Sequence, residues 1–273
     1  MASGFLAGAF RGRQAWSGAI FLGLTVLGLL TSLGISRVPA ADPKRKFRAN
    51  PLADFFSLVP TIRRDRVLAW AVVGNTYLWF LAALLQFVIV IYGHDILHVD
   101  ETQISYLQAA VGIGIGFGSL AAGYLSFGTI ENGFVPLGAI GMTLFSFLVS
   151  MNGAGIWQVR MELALLGVSG GFYAVPLNAL IQHRPPREHK GGVIAAANLL
   201  SFVGVFLAAG VYFLLSSALQ LNPAQIFMAG ALMTLASAFY SIFLLPDSVR
   251  DLRAWIEIHA LRRQSIGNAN RRD

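Results

Sequence analysis

Seven long apolar stretches, separated by short polar connections, dominate the hydrophobic pattern of this chain. A helix that crosses a bilayer needs about 20 mostly apolar residues. Apolar positions surround each stretch and do not form a single stripe, which is typical of helices in lipid or inside a membrane bundle. The pattern therefore predicts an all-α membrane protein with about seven transmembrane helices. They are expected at residues 16–36, 67–92, 103–126, 133–151, 156–182, 191–216 and 224–245.

Basic residues indicate how these helices are oriented. Eight of them lie between Arg37 and Arg66, in the first connection. Lys and Arg close to a span resist translocation, so this loop is predicted to be cytoplasmic. A cleavable signal peptide is the alternative for the first 40 residues, but it would put the basic loop outside. Alternation from a cytoplasmic loop gives four cytoplasmic segments that hold 17 of the 20 Lys and Arg residues: 37–66, 127–132, 183–190 and 246–273.

This topology divides the chain into four parts. The first is an N-terminal stub with one transmembrane helix (1–36), and the second is a basic cytoplasmic central loop (37–66). A six-helix bundle (67–245) and a basic amphipathic cytoplasmic tail (246–273) follow. Within the central loop, Pro51 to Leu58 is expected to form a short helix at the membrane surface.

The composition narrows the classes of function. Hydrophobic residues make up 56% of the chain and charged residues 12%, with a mean hydropathy of +0.64. Soluble domains carry about 25% charged residues. The net charge of +7 comes from basic residues that lie mainly in the inter-helix loops and the tail. Their positions are explained by membrane topology, so we expect no nucleic-acid partner. His94 and His98 have a zinc-like spacing but lie in a short loop, and no nucleophile-elbow or phosphate-loop motif occurs. We therefore expect no enzyme activity, no metal and no cofactor.

Glycines recur at every second position in the third apolar stretch, Gly112, Gly114, Gly116 and Gly118. Pairs of small residues four apart allow two membrane helices to approach closely. These four glycines are therefore predicted to pack against a neighbouring helix, and the spacing does not match a dinucleotide-binding loop.

Polar residues inside the apolar stretches are the candidate substrate site, because each needs a partner or a wet cavity. Asn75, Trp79 and Gln86 recur at helical spacing and are predicted to share one face. Hydrogen bonding between helices is the alternative explanation for each residue. The complete candidate set is Asn75, Trp79, Gln86, Gln108, Asn178, Gln182 and Asn198.

Four segments carry a family resemblance: AWSGAIFLGLTVLGLLTSLGISRVPAADPKRKFRANPL (15–52), GNTYLWFLAALLQ (74–86), GIGIGFGSLAAGYLS (112–126) and PLNALIQHR (176–184). With them the chain resembles the C-terminal half of a major facilitator superfamily transporter, preceded by the sixth of its twelve helices. The resemblance is closest to lysophospholipid transporters, especially those fused to an acyltransferase and an acyl-carrier-protein synthetase.

The resemblance implies alternating access, with two six-helix bundles rocking around a midplane cavity. It implies transport of lysophospholipid or a related amphipathic lipid across the bacterial inner membrane. The expected partners are membrane lipids and either a missing N-terminal bundle or a fused acyltransferase. A general facilitator for drugs or small molecules, or a transporter-derived anchor for a fused enzyme, are the alternatives. An inner rim of Arg184, Arg187 and Lys190 would be available to the lipid phosphate.

One motif departs from the superfamily pattern. The cytoplasmic signature between its eighth and ninth helices normally contains an aspartate followed by arginines. Here Gly123 and Leu125 match, Ser126 replaces the aspartate, and no arginine follows. Glu131 is the expected partial replacement for the lost charge.

Overall fold

The computed structural model describes residues 14–35, 51–126, 133–151 and 155–244. A helix occupies each of the seven predicted stretches, and an eighth lies in the central loop, which confirms the all-α class. Glu131, the rest of the central loop and the predicted tail helix lie outside the described residues. The helices are α1 (Gln14–Ser32), α2 (Pro51–Arg64), α3 (Arg66–Asp95), α4 (Glu101–Leu125), α5 (Phe134–Ser150), α6 (Ile156–His183), α7 (Lys190–Phe213) and α8 (Pro223–Leu244).

The helices differ in the length of their apolar part. In the described part of the chain, α3, α4, α6 and α7 are long and apolar enough to cross a membrane, the last with the π-helical turn Leu214–Ala218 that extends it. Shorter apolar stretches occur in α1, α5 and α8. The 17 residues of α5 are about 25 Å long, a little less than the hydrocarbon core of about 30 Å. Such a mismatch is accommodated by local thinning of the bilayer.

Helices α3 to α8 form one bundle in which α3 is central. It packs against α4, α6, α7 and α8, while α5 lies between α6 and α8. Large buried side chains fill the interior, and the rings of Tyr92 and Phe227 meet edge to face at 5.4 Å. Helix α1 contrasts with this bundle, because all of its described side chains are exposed.

The tightest packing joins α4 to α6, and glycine makes it possible. A Cβ at Gly114 or Gly118 would lie within 3.0 Å of the α6 backbone, closer than real Cβ atoms come. Gly167 and Gly171 of α6 face the α4 backbone in the same way. The two helices therefore meet through two small-xxx-small pairs, one from each helix.

The other two glycines of the run do not have the surroundings that the sequence predicts. A Cβ added at Gly112 or Gly116 would meet no atom within 4 Å. Residues two apart on a helix lie on nearly opposite sides, so only Gly114 and Gly118 face α6. In this bundle Gly112 and Gly116 do not make the close contact predicted for them, and Gly112 instead borders a cavity.

Polar contacts between helices supplement the apolar packing. The Tyr77 hydroxyl lies 2.7 Å from Thr234 Oγ1, which links α3 to α8. Ser146 of α5 donates to the Phe227 carbonyl of α8 at 2.9 Å. Each contact of this kind contributes about 0.6 kcal/mol in a membrane bundle, enough to fix helix register without dominating stability.

The short helix predicted at Pro51–Leu58 extends to Arg64 and docks onto the end of the bundle. Leu58 and Ile62 are four residues apart and buried, and α2 contacts both α3 and α7. Gly192 at the start of α7 leaves room for Leu58, since a Cβ there would lie 2.8 Å from Leu58 Cδ1. The exposed Phe56 lies on the remaining surface of α2.

Candidate functional site

A cavity of about 180 Å³ lies in the bundle between α3, α4 and α6. Its lining from α3 follows helical spacing, so one face of that helix supplies a continuous wall. Met142 of α5 also contributes to the lining. The lining residues are uncharged: Leu78, Leu81, Ala82, Leu85, Gln86, Ile89, Gln108, Val111, Gly112, Ile115, Met142, Leu166, Gly167 and Gly170.

Two of the predicted site residues, Gln86 and Gln108, line this cavity together. Gln86 of α3 is exposed and Gln108 of α4 is half-buried. Each side-chain amide offers two N–H donors and one carbonyl acceptor. The cavity therefore combines apolar walls with two neutral hydrogen-bonding groups on adjacent helices.

Asn75 and Trp79 have different surroundings from Gln86. Asn75 is 3% exposed, and its Nδ2 donates to Ser201 Oγ of α7 at 2.9 Å. Its Oδ1 is buried and has no hydrogen-bond partner among the described residues. Trp79 is 52% exposed, and neither residue lines the cavity. The Asn75 amide thus makes the interhelical contact that was the alternative to a cavity role.

Asn178, Gln182 and Asn198 are exposed and lie outside this cavity. Asn178 Nδ2 donates to the Ala174 carbonyl one turn earlier at 3.0 Å, a local bond within α6. The predicted site residues therefore do not form one cluster. The structure groups Gln86 with Gln108 and leaves the other three amides on the bundle surface.

The predicted inner rim contains an ion pair. Arg184 Nε donates to Asp65 Oδ2 at 2.5 Å, while Asp65 Oδ1 caps α3 by accepting from the backbone N–H groups of Val67 and Leu68. Partial burial alone would raise the pKa of Asp65, but the bonds from Arg184 and the two backbone groups leave that pKa below its ordinary value. Arg184 is therefore paired with a carboxylate, and all three rim residues are exposed.

The signature segment ends α4. Gly123 is exposed and has open space around it, and Leu125 is the last helical residue. The Ser126 hydroxyl donates to the Ala122 carbonyl at 2.7 Å, so it bonds one of the last carbonyl groups of the helix. The serine at the aspartate position thus has a local structural contact.

Two charged residues near the start of α6 were not assigned to the site from the sequence. Glu162 is 7% exposed, and its Oε1 accepts from Gln158 Nε2 at 2.9 Å. Arg160 Nη2 donates to Gln103 Oε1 of α4 at 2.7 Å. Their signal was present in the sequence, because a charged residue inside an apolar stretch is a functional candidate by default.

A second cleft of about 390 Å³ lies where α3 ends. Tyr212, Ser216 and Asn222 line it together with Asp95. The π-helical turn that contains Ser216 shapes one side. None of the predicted substrate residues lies in this cleft.

Comparison with known proteins gives the family. The Major Facilitator Superfamily profile matches residues 1–209. The lysophospholipid transporter LplT of Klebsiella pneumoniae is 33% identical over 188 residues, which are 67% of this chain and 47% of that protein. The LplT proteins of Cronobacter sakazakii and Escherichia coli O139:H28 are 31% and 29% identical, over 72% and 67% of this chain and 51% and 47% of theirs.

The chain spans about half the length of the curated relatives that it matches. No solved structure matches it. The profile match covers most of the chain, the bundle is built of apolar helices, and the family indicates transport rather than catalysis. This chain is a multi-pass inner-membrane protein that belongs to the Major Facilitator Superfamily.

Proposed function

We propose that this chain forms one wall of a transporter that moves lysophospholipid across the bacterial inner membrane by alternating access. The observation that carries the substrate class is the uncharged cavity with Gln86 and Gln108 on an otherwise apolar wall. The relatives named lysophospholipid transporters support the same substrate.

The chemistry of the cavity suits part of an amphipathic lipid. Burial of an acyl chain is favourable by about 25 cal/mol for each Å² of apolar surface removed from water, and this free energy does not depend on the orientation of the chain. The two amides can hydrogen-bond the ester and glycerol oxygens next to the chain. At about 180 Å³ the cavity is smaller than the roughly 300–1,000 Å³ of complete small-molecule pockets. It is therefore proposed to hold the part of the lipid where chain and glycerol meet.

Alternating access needs a second wall opposite this one. We propose that another helical bundle faces the exposed polar surface that carries Asn178, Gln182 and Asn198. We also propose that the central loop 37–66 and the C-terminal tail are cytoplasmic, because 17 of the 20 Lys and Arg residues lie in the segments assigned to that side. On this orientation Arg187 and Lys190 are at the inner end of the path.

Uptake of labelled lysophospholipid into proteoliposomes tests the proposal, using the protein as its gene encodes it. Gln86→Ala combined with Gln108→Ala removes both cavity amides and is expected to reduce uptake by about tenfold or more, since each hydrogen bond contributes about 1 kcal/mol. Gln225→Ala is the control, because Gln225 is exposed and lines neither described cavity, and the bond that its Oε1 accepts from the Asn222 backbone N–H lies at the start of α8, away from Gln86 and Gln108. Its uptake is expected to stay at the level of the unmodified protein.

The outcomes distinguish an error in the proposed substrate from an error in the proposed cavity residues. No lysophospholipid uptake by the unmodified protein contradicts the proposed substrate. Normal uptake by the double variant contradicts the cavity assignment while leaving the substrate intact. Competition by unrelated small molecules, with no competition by lysophospholipid, would favour a general facilitator.

A further inference from the structure

Arg160 is held at the junction of α4 and α6 by three contacts, one hydrogen bond and two cation–π contacts. Its Nη2 donates to Gln103, and its guanidinium carbon lies 4.5 Å from the centre of the Trp157 ring and 5.6 Å from that of Tyr106. Contacts with two aromatic rings and an amide fix the plane of the guanidinium but leave its charge unneutralised. The side chain is therefore ordered in position and still cationic.

Further donors of Arg160 remain for a ligand. A guanidinium carries five N–H groups, and the bond to Gln103 uses only one N–H of Nη2; Nε is buried, so the remaining N–H groups of the two Nη atoms are the donors left for a ligand. In the described part of the chain no carboxylate pairs with Arg160. Glu162 is close in sequence, but residues two apart do not share a helix face, and it bonds to Gln158 instead. A planar cation with open donors matches an oxyanion such as phosphate.

The aromatic surroundings of Arg160 are typical of a membrane–water boundary. Trp157 is 72% exposed, and Trp and Tyr concentrate at the boundary between membrane and water. Arg160 is seven residues before Gly167 of the cavity wall, about 10 Å along the helix axis. Measured along α6, Arg160 thus lies about two helical turns from Gly167, at the end of that helix opposite Arg184.

An apolar strip leads from this group along α4. Tyr106, Ile113 and Phe117 are seven and four residues apart, so they lie on one face. Their side chains are 41%, 47% and 66% exposed. The strip from Tyr106 to Phe117 is about 16 Å long, enough to accompany much of an acyl chain. A phosphate at Arg160 and a chain along this strip fit one amphipathic molecule.

We propose that Arg160, positioned by Gln103, Tyr106 and Trp157, binds the phosphate of a monoacyl phospholipid at the outer end of the transporter. The strip lies on the face of α4 opposite the cavity-lining Gln108 and Ile115, so this site binds a lipid on the membrane-facing side of the bundle, outside the cavity. This proposal rests on the proposed function, which supplies both the orientation of the bundle in the membrane and the lysophospholipid substrate. The proposed site does not involve the rim residues Arg184, Arg187 and Lys190 at the inner end.

Binding measured by calorimetry in maltoside micelles tests this site, because the micelles contain no phosphate. The three probes are lysophosphatidylethanolamine, a monoacylglycerol with the same chain, and glycerol 3-phosphate. Arg160→Gln is expected to weaken lysophosphatidylethanolamine binding at least about tenfold and Arg160→Lys less, because lysine keeps the charge but loses the planar donors. Arg63→Gln, at an exposed cation of α2, is the control and is expected to bind like the unmodified protein.

Monoacylglycerol binding reports whether each variant is folded and is expected to be equal in all of them. Unchanged lysophosphatidylethanolamine binding by Arg160→Gln would overturn the site and leave the proposed function standing, with Arg160 then only an interfacial anchor. Equal binding of glycerol 3-phosphate would overturn the lipid assignment in favour of a small-phosphate site. If the unmodified protein binds no lysophosphatidylethanolamine, both the site and the proposed function fail.

Discussion

The glycine contact between α4 and α6 gives the sharpest structural prediction. Alanine at position 118 would put a Cβ 2.8 Å from the Val168 carbonyl carbon and closer still to its oxygen. Ordinary contacts of a Cβ begin at 3.4 Å, so the helices must separate by at least about 0.6 Å. The obstacle is backbone, which cannot rotate away as a flexible side chain can. Gly114→Ala meets the same obstacle at Ala164.

The size of the effect follows from this overpacking. Added atoms in a tightly packed interior typically cost about 1–3 kcal/mol. Gly118→Ala is expected to destabilise the bundle by this amount, less the roughly 0.5–1 kcal/mol that alanine gains over glycine within a helix. Gly116→Ala is the matched control on the same helix, because its Cβ meets no atom within 4 Å. It is expected to leave stability unchanged or to raise it.

Equilibrium unfolding measures this difference. The protein in mixed micelles is titrated with a denaturing detergent, and helix content is followed by circular dichroism. The reasoning predicts that Gly118→Ala lowers the free energy of unfolding and that Gly116→Ala does not. Equal effects of the two variants, or a Gly118→Ala protein more stable than the Gly116→Ala protein, would refute the packing described.

Two further predictions concern polar contacts. Asp65→Asn keeps the N-cap of α3 and is expected to cost less than about 1 kcal/mol, whereas Asp65→Ala also loses the cap and is expected to cost about 1–2 kcal/mol in the same unfolding assay. The pKa of Asp65 is lowered in the folded state. The unmodified protein should therefore be more stable than Asp65→Asn above the unfolded pKa of about 3.9, and this difference in stability should disappear as pH falls through the folded pKa. A double-mutant cycle of Asn75→Ala and Ser201→Ala should give a coupling energy of about 0.6 kcal/mol, and a value near zero would contradict their hydrogen bond.

The helices were predictable because the membrane imposes a simple rule on them. The predicted stretch 67–92 corresponds to Arg66–Asp95, and 156–182 to Ile156–His183. Backbone groups in hydrocarbon must bond within the segment, so a long apolar run has little choice but a helix. The extension of α2 beyond Leu58 was missed because Pro60 lies within that helix, where proline normally breaks the pattern.

The site was less predictable because helical spacing gives an angle but not the neighbour at that angle. Asn75 and Gln86 are eleven residues apart and lie on nearly the same side of α3. At Asn75 this side is covered by α7, whose Ser201 accepts the amide bond. At Gln86 it opens into the cavity. Which helix covers which part of α3 depends on long-range packing, which the local pattern does not contain.

The glycine run shows the same limit within one helix. Gly112 and Gly116 repeat the four-residue spacing of Gly114 and Gly118, so the motif alone selects neither pair. The choice depends on the partner helix, where Gly167 and Gly171 supply the complementary gap. A small-residue motif therefore predicts that a close contact exists, while its register requires both helices.

The two ends of the bundle present arginine side chains in different states, and this bears on the direction of the proposed lipid movement. At the inner end, Arg184 is paired with Asp65, so a phosphate there must displace a carboxylate. Both partners are partly exposed, and pairs of this kind contribute about 1 kcal/mol or less, so such an exchange costs little. At the proposed outer end, Arg160 is held by rings and an amide that can keep their contacts when a phosphate binds. On these grounds we expect the outer group to bind the headgroup more tightly, and the inner group to release it more readily.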